Sequence, residues 1–331
     1  MLNILITGCA GFIGSHLTER LLKEGHTVFG VDNLLTGRRE NIKRLEKIAA
    51  TTKAEFLFLE YNIQNESIEK LLSEKCDDLD QIYHLACPAS PKDFSTLGVE
   101  ILEVCAKGTM NMLKLARLKK ARFLFTSTSE VYGDPLKTPQ TEYCLGNVNV
   151  LGPRSCYDEG KRFAESYTVH FATKYNIDFR IARVFNTYGP RMRRDDGRVI
   201  PNFIEQLRNG APITIYGEGD QTRSFCYVDD MVDGLIALMS YEKLHENIRE
   251  EDPVKRVFNL GNPQEIKIVE LAKLLAKIMG EELHLAVLPL PKDDPKRRCP
   301  QITKATEAFG FEPKVPLKEG LKRTLEGLDE I

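Results

Sequence analysis

The chain begins MLNILITGCAGFIGSHLTER (residues 1–20), and this stretch decides the fold. The apolar run at 4–6 is typical of a strand that is buried on both faces of a parallel sheet. It is followed by Gly8, Gly11 and Gly14 and then by a helical pattern. A glycine-rich turn between a strand and a helix lets backbone amides approach a pyrophosphate, which the helix N-terminus stabilises. The stretch therefore predicts the first βαβ unit of a dinucleotide-binding domain.

Strand and helix patterns alternate along the first 185 residues. Such alternation implies crossover connections and a parallel sheet covered on both faces. The expected fold class is α/β, with a doubly wound (Rossmann) sheet. The predicted strands are 2–7, 27–32, 54–60, 80–86, 121–127 and 178–184, and the predicted helices are 13–24, 38–49, 66–74, 97–119 and 157–175.

The composition and the strand pattern of the sequence change after about residue 186. Gly and Pro become more frequent, and the predicted strands become short and isolated. We therefore expect an NAD-binding domain at 1–185 and a smaller, mixed α/β substrate region at 186–331. The later strands are predicted at 212–216, 257–260 and 284–288, and the later helices at 198–208, 228–241, 266–279 and 316–328.

The composition excludes several classes of protein. The 331 residues include 46 Lys and Arg against 48 Asp and Glu, a formal charge of −2. Such a balance argues against binding of nucleic acid or of an anionic membrane through bulk charge. No apolar run approaches the roughly 20 residues that span a bilayer, and no signal peptide is apparent. The eight cysteines are scattered without a CxxC pair, which favours reduced thiols in the cytoplasm and predicts no metal site.

Asp32 ends the second predicted strand, eighteen residues after Gly14 (32 − 14). A carboxylate at this position can bond both hydroxyls of an adenosine ribose and repels a 2′-phosphate. Arg38 and Arg39 can pair with a 2′-phosphate, but they lie further along the chain than that role requires. The pattern therefore favours NAD over NADP.

Tyr157 and Lys161 are four residues apart, so on a helix they share one face. A nearby ammonium and the positive nicotinamide of the cofactor both favour the phenolate, and we expect the pKa of Tyr157 to fall toward working pH. Thr128 and Glu130 follow the fifth predicted strand. In extended backbone they share a face, while Ser129 points away.

Four motifs give the chain a resemblance to a known family: HLACPASP (84–91), STSEVYGDP (127–135), SCYDEGKR (155–162) and DDPKRRCP (293–300). With the glycine turn, they make it similar to the extended short-chain dehydrogenases/reductases. More narrowly, it resembles the UDP-glucuronate decarboxylases (UDP-xylose synthases). The resemblance runs from residue 3 to about 328.

The resemblance implies a set of catalytic roles. Tyr157 is the base, and Lys161 is its partner. Thr128 is the hydroxyl beside the sugar, Glu130 is the acid, and Arg298 lies near the sugar carboxylate. The resemblance also implies cofactor contacts by these residues: Gly8, Gly11, Phe12, Ile13, Gly14, Asp32, Asn33, Thr36, Asn62, Ile63, Leu85, Ala86, Cys87, Tyr157, Lys161 and Arg198. The implied substrate contacts are Pro88, Ser90, Asn186, Ile200, Asn202, Phe203, Gly217, Gln221, Arg223 (as a diphosphate partner) and Arg298.

The chain departs from the family pattern at three positions. Asn62 replaces an Asp at the adenine-contacting position, and its amide oxygen still accepts a hydrogen bond. Glu103 stands where a substrate-contacting Lys is usual, and Cys105 replaces an Asn.

The implied reaction converts UDP-glucuronate to UDP-xylose through a 4-keto sugar, with NAD regenerated in each turnover. Three alternatives stay open: a sugar-nucleotide 4,6-dehydratase, a 4-epimerase and a catalytically silent NAD-sensing scaffold. The dehydratase pattern has Asp where this chain has Ser129, and a silent scaffold is expected to lack Tyr157 or Lys161. The resemblance also implies a homodimer formed through the helices near 97–119 and 157–175.

Overall fold

The computed structural model describes residues 1–76, 78–244, 248, 252–289 and 297–328, so the start of the DDPKRRCP motif (293–296) lies outside the described residues. Its centre is a seven-stranded sheet in which every pairing is parallel. In spatial order the strands are β11 (Val257–Leu260), β6 (Phe179–Val184), β5 (Arg122–Thr128), β4 (Gln81–His84), β1 (Asn3–Thr7), β2 (Thr27–Asp32) and β3 (Phe56–Glu60).

Helices cover both faces of this sheet, which confirms the predicted doubly wound fold. Those of the first half are α1 (Phe12–Lys23), α2 (Arg39–Thr51), α3 (Ile68–Lys75), α4 (Gly98–Glu103), α5 (Thr109–Lys119) and α6 (Ser155–Tyr175). Those of the second half are α7 (Val199–Arg208), α8 (Val228–Ser240), α9 (Ile268–Met279), α10 (Thr303–Phe309) and α11 (Leu317–Leu328).

The apolar runs of the sequence become the central strands. The side chains at 4–6 in β1 and at 123–125 in β5 are almost fully buried. A strand between two layers of helices has no face toward water, so an uninterrupted apolar run suits it better than alternation. The order of strands reverses between β1 and β4, and ligands bind at such a switch point, at the carboxyl ends of the strands.

The helix predicted at 97–119 is divided. A single π-helical turn, Val104–Gly108, separates α4 from α5. Gly108 lies at the end of this turn, where an added Cβ would come within 2.9 Å of the Ile63 side chain. Local π turns widen a helix by one residue and are frequent beside functional sites.

The second half of the chain contributes three small sheets. Strands β12 (Glu265–Lys267), β9 (Thr222–Ser224) and β14 (Arg297–Arg298) form one of them. Strands β13 (Leu285–Leu288) and β8 (Ile213–Tyr216) form another, and β10 (Cys226–Tyr227) pairs with β7 (Thr187–Tyr188).

The prediction that the later strands are isolated is wrong: β8 and β13, predicted at 212–216 and 284–288, pair with each other, and strand 257–260 joins the main sheet. This strand, β11, pairs in parallel with β6 and completes the main sheet, with Val257 opposite Ile181 and Leu260 opposite Val184. The sheet thus takes its last strand from beyond residue 185. The division at that residue stays a prediction. Among the described residues, no helix combines the length and apolar character that a membrane crossing requires.

Candidate active site

A deep cavity opens at the carboxyl ends of the central strands. Its wall includes the glycine turn after β1, Asp32 at the end of β2, the segment 85–91 after β4, and residues 126–130 at the end of β5. Helix α6 closes one side with Tyr157 and Lys161. The structure thus brings the two halves of the predicted site, cofactor turn and catalytic pair, into one space.

The backbone of the glycine turn is packed too closely for side chains at Gly8 and Gly14. Gly8 has φ +78°, and an added Cβ would lie 2.9 Å from the backbone nitrogen of Ala86. An added Cβ on Gly14 would lie 2.0 Å from the carbonyl oxygen of Gly8, which no rearrangement of a side chain could relieve. Gly11 caps α1, whose first residues are Phe12 and Ile13. This turn fits the pyrophosphate of NAD at a helix N-terminus.

Asp32 is held in place by the backbone. Its two oxygens accept hydrogen bonds from the amides of Ala10 (3.0 Å) and Leu34 (2.9 Å). Burial raises the pKa of this carboxyl, and the two amides oppose the shift. Asn33 and Thr36 also line the cavity, while Arg39 forms an ion pair with Glu60. The carboxylate is thus positioned to receive ribose hydroxyls, as NAD requires.

The other predicted cofactor residues line the same cavity. Asn62, Ile63, Leu85, Ala86 and Cys87 all line the cavity, and so does Arg198. The Asn62 amide oxygen accepts a hydrogen bond from the backbone of Gln64 at 3.0 Å. The amide thus orders the turn in which Asn62 replaces the usual Asp.

A buried hydrogen-bonded chain fixes the turn after β4. The Thr7 hydroxyl lies 2.8 Å from His84 Nδ1 and accepts bonds from the amides of Leu85 and Ala86 at 3.2 Å. The other ring nitrogen of His84 lies 3.1 Å from the Thr109 hydroxyl. Burial lowers the pKa of His84 to about 3, and the charge of Lys161 adds to this. His84 is therefore a neutral structural histidine. The hydrogen bonds that link it to Thr7 and Thr109 were not predicted from the sequence.

Tyr157 and Lys161 share the cavity-facing side of α6, as predicted. The Lys161 ammonium donates to the carbonyl of Thr126 at 2.8 Å, and the Tyr157 ring stacks on Phe94 with centroids 5.1 Å apart. The predicted fall in the Tyr157 pKa depends on the charge of the bound cofactor as well as on Lys161, and the chain by itself does not produce it. Burial raises that pKa to about 12, outweighing the opposing effects of Lys161 and of the Thr128 hydroxyl. Deprotonation at neutral pH therefore needs a further positive charge.

Thr128 ends β5, and its hydroxyl accepts a hydrogen bond from the backbone nitrogen of Glu130 at 3.2 Å. A 3₁₀ turn, Ser129–Tyr132, begins directly after it. The expected separation of Ser129 from its neighbours is wrong, because the extended backbone stops at Thr128 and all three residues line the cavity.

Glu130 lies between two arginines. Arg298 donates to both of its oxygens at 2.6 and 2.7 Å, and Arg154 lies 2.8 Å away. Burial alone raises the pKa of this carboxyl, but the two guanidinium groups more than offset it and hold the pKa at about 2. Glu130 is therefore ionised here and has no proton to give. Its role as an acid stays a prediction that requires these pairs to open.

Two residues of this cluster were not identified from the sequence. Asp158 follows Tyr157 within the SCYDEGKR motif, and Arg154 directly precedes that motif, so the motif and the residue before it carried the signal. Asp158 is buried, and one of its oxygens has no hydrogen-bond partner among the described residues. Burial raises its pKa to about 7, and the negative charge of Glu130 contributes to that shift.

The predicted substrate residues divide into two groups. Pro88, Ser90 and Asn186 line the cavity, and Arg298 reaches it through Glu130. The remainder lie outside the residues that line it, and the side chains of two of them, Ile200 and Phe203, pack in the hydrophobic core. Their contact with substrate stays a prediction. The others in this second group are Asn202, Gly217, Gln221 and Arg223.

Comparison with known proteins agrees with this site. The model of the NAD dependent epimerase/dehydratase family matches residues 4–261, which confirms the predicted cofactor class. UDP-glucuronic acid decarboxylase 2 of Arabidopsis thaliana is 47% identical over 97% of this chain, which spans just under two thirds (66%) of that protein. UDP-glucuronic acid decarboxylase 5 of the same plant is also 47% identical, over 97% of this chain and 87% of its own length.

A solved structure agrees with membership of the epimerase/dehydratase family. The UDP-glucuronic acid 4-epimerase of Bacillus cereus, in complex with UDP-glucuronic acid and NAD, superimposes with a TM-score of 0.84. It is 28% identical, and the match covers 99% of each chain. The chain therefore belongs to the NAD dependent epimerase/dehydratase family and, within it, to the UDP-glucuronic acid decarboxylases.

Proposed function

We propose that this chain is an NAD-dependent decarboxylase that converts UDP-glucuronate to UDP-xylose. The observation that carries the proposal is the pair of arginines, Arg298 and Arg154, around Glu130 at the cavity that Tyr157 also lines. A sugar that keeps a neutral C6 group has no need of two guanidinium groups in this position. A uronate has a carboxylate there, and a guanidinium binds a carboxylate through two parallel hydrogen bonds.

Tyr157 removes the proton from the C4 hydroxyl of the sugar. Bound NAD, which the glycine turn and Asp32 would hold, would supply the acceptor and later the donor of the C4 hydride and a positive charge near the phenol. This charge joins that of Lys161 in lowering the Tyr157 pKa from about 12. The Thr128 hydroxyl hydrogen-bonds the same oxygen and orients it.

Oxidation at C4 makes the C6 carboxylate a β-keto acid, so the C5–C6 bond can break with its electrons held as an enolate. We infer that Arg298 exchanges Glu130 for the substrate carboxylate during binding. Glu130 is then left with Arg154 alone, its pKa rises from about 2, and it becomes able to take up a proton and supply C5.

The reaction can be tested by running it with UDP-glucuronate in D₂O. A decarboxylase replaces the carboxyl with one solvent deuterium at C5 and leaves C4 unlabelled, because the C4 hydrogen returns as the same hydride. A 4-epimerase keeps the carboxyl and takes no label at carbon, and a dehydratase loses water instead of carbon dioxide. Recovery of intact carboxyl, or deuterium at C4, would overturn the proposal. The same reaction in H₂O serves as the control.

We further propose a homodimer that forms through α4 and α6, in a cytoplasmic protein. Four aromatic rings, spaced four residues apart, stack along α6 with centroid distances of 6.0, 5.6 and 4.5 Å. Beside them, Val99 and Leu102 on α4 are exposed. An apolar face of this extent is typical of a subunit interface. The cytoplasmic location is supported by the eight cysteines, all of which are free thiols. The aromatic residues are Phe163, Tyr167, Phe171 and Tyr175.

A further inference from the structure

Two thiols that the mechanism does not use lie close together, one in the cavity wall and one behind it. Cys87 follows β4, and Cys105 belongs to the π turn Val104–Gly108. Their sulfur atoms are 3.7 Å apart. A disulfide bond is about 2 Å long, so the two sulfurs need to approach by less than about 2 Å to form one.

The two thiols differ in access and in charge. Cys87 lines the cavity, whereas Cys105 lies behind it with an exposed fraction of 2%. The Cys105 thiol forms a hydrogen bond with the Cys87 sulfur. This hydrogen bond and the charge of Lys161 lower the Cys87 pKa despite burial. The pKa of Cys105 is raised well above its ordinary value. Since the thiolate is the reactive form, Cys87 is the nucleophile of the pair and Cys105 is the resolving thiol.

We propose that Cys87 and Cys105 form a modification site that reacts with peroxides and closes to a reversible disulfide. The Cys87 sulfur attacks one peroxide oxygen, the O–O bond breaks, and water leaves with a sulfenic acid formed at Cys87. The Cys105 sulfur then attacks the Cys87 sulfur, the S–O bond breaks and a second water leaves. The two thiols lose two electrons in total, which reduce one peroxide to two waters. A dithiol reductant reverses the reaction by thiol–disulfide exchange.

Closure of this pair draws the Cys87 side chain out of the cavity wall. Cys87 is close enough to Tyr157 and Lys161 for its charge to act on both. We therefore expect the disulfide to abolish catalysis, and bound NAD to slow its formation by filling the cavity. The pairing itself does not depend on the proposed reaction, because its products are read by mass.

The test uses the full chain, reduced and freed of reductant, then treated with hydrogen peroxide and alkylated. The expected product has lost two hydrogens and links tryptic peptide 76–92 to peptide 93–107, and dithiothreitol reverses the link. Fragmentation places the bond on Cys87 and not on Cys76, which is in the same peptide. Saturation with NAD should slow the reaction.

Two variants make the test decisive. Cys105→Ser should keep the basal activity, form no link and accumulate a sulfenic acid at Cys87 that dimedone traps. Cys144→Ser removes a partly exposed thiol outside the cavity and should behave as wild type. The proposal fails if Cys87 and Cys105 both stay fully alkylatable while Cys144 or Cys156 is oxidised. It also fails if Cys87 links to any other cysteine.

Discussion

Both terminal nitrogens of Arg298 donate hydrogen bonds to Glu130, which lies 168 residues earlier in the chain. Arg298 comes from β14, where it stands opposite Arg223, and it is 4% exposed. The free site thus holds its cation already paired with an internal carboxylate. A substrate carboxylate therefore has to replace that partner, which favours a ligand with a planar anion at this position over a neutral hexose.

Substitution of Arg298 should lower turnover far more than substitution of its neighbour Arg297. Arg298→Ala should lower decarboxylation roughly 10²–10³-fold, because the guanidinium that binds and positions the substrate carboxylate is lost. Arg297→Ala is the matched control, since Arg297 is exposed and pairs with Glu265 at the surface. Turnover of UDP-glucuronate measures both. Equal activity of the two variants would exclude Arg298 from the site.

Tyr157→Phe should lower turnover roughly 10²–10⁴-fold, the usual contribution of a general base. The substitution keeps the ring that stacks on Phe94, so NAD binding should persist and is measured by the mass of the undenatured protein. Tyr167→Phe, on the same helix but away from the cavity, should keep wild-type turnover. Near-normal rates in Tyr157→Phe would remove this phenol from the mechanism.

Gly14→Ala should abolish NAD binding, because its Cβ would meet the Gly8 carbonyl oxygen at 2.0 Å. Gly98→Ala is the control: its Cβ would have ordinary contacts, the nearest at 3.6 Å from Cys156. Titration with NAD, followed by calorimetry, checks both variants, and circular dichroism reports whether each one folds. A Gly14→Ala protein that binds NAD normally would show that the turn does not hold the pyrophosphate.

Asp158 should make stability depend on pH. Its pKa is raised from 3.8 to about 7, so the folded chain holds this proton more tightly than the unfolded chain does. The resulting contribution is complete below pH 3.8 and is lost as the pH rises through 7. Its size is of the order of a few kcal/mol in the free energy of unfolding.

Urea unfolding of the cofactor-free chain at pH 5 and pH 8 measures this contribution. Asp158→Asn should remove part of the loss of stability seen in wild type between these two values. Glu159→Gln, at the next position of α6, should preserve most of it, because the charge of Glu159 is the smallest of the effects that act on the Asp158 pKa. If Asp158→Asn and wild type lose the same free energy of unfolding over this range, Asp158 does not hold the proton.

The proposed dimer predicts a further difference between two exposed residues. Val99→Asp places a charge on the apolar face of α4 and should convert dimers to monomers. Leu136→Asp changes a residue that is 90% exposed in the loop after β5 and should leave the dimer intact. Light scattering after size-exclusion chromatography gives the mass of each. A wild-type monomer, or a dimeric Val99→Asp, would contradict this interface.

The sequence predicted the main sheet well because its strands are apolar runs bounded by glycine or by helical patterns. Residues 27–32 and 257–260 match their strands to the residue. The two-residue strands β7, β10 and β14 were not predicted, because so short a segment has no periodicity. The place of β11 in the sheet was missed as well, since strand order depends on contacts that no local pattern contains.

The candidate site was predicted by residue type more accurately than by ionisation. Tyr157, Lys161 and Glu130 lie together as expected. Their protonation depends on burial and on partners distant in sequence, such as Arg298 for Glu130. A spacing of four residues indicates that Tyr157 is near an ammonium, but it does not indicate how far both are removed from water.

The position of β11 beside β6 has a consequence for dividing this chain. A fragment that ends at residue 185 would leave β6 as an open edge of the sheet. The backbone of Ile181 to Val184 would lose its partners in β11, and the apolar side chains of this strand would become exposed. Such an edge recruits strands from other molecules. Cofactor-binding and sugar-binding halves therefore cannot be exchanged between relatives by a single cut there. A working chimera has to carry residues 257–260 along with the first half.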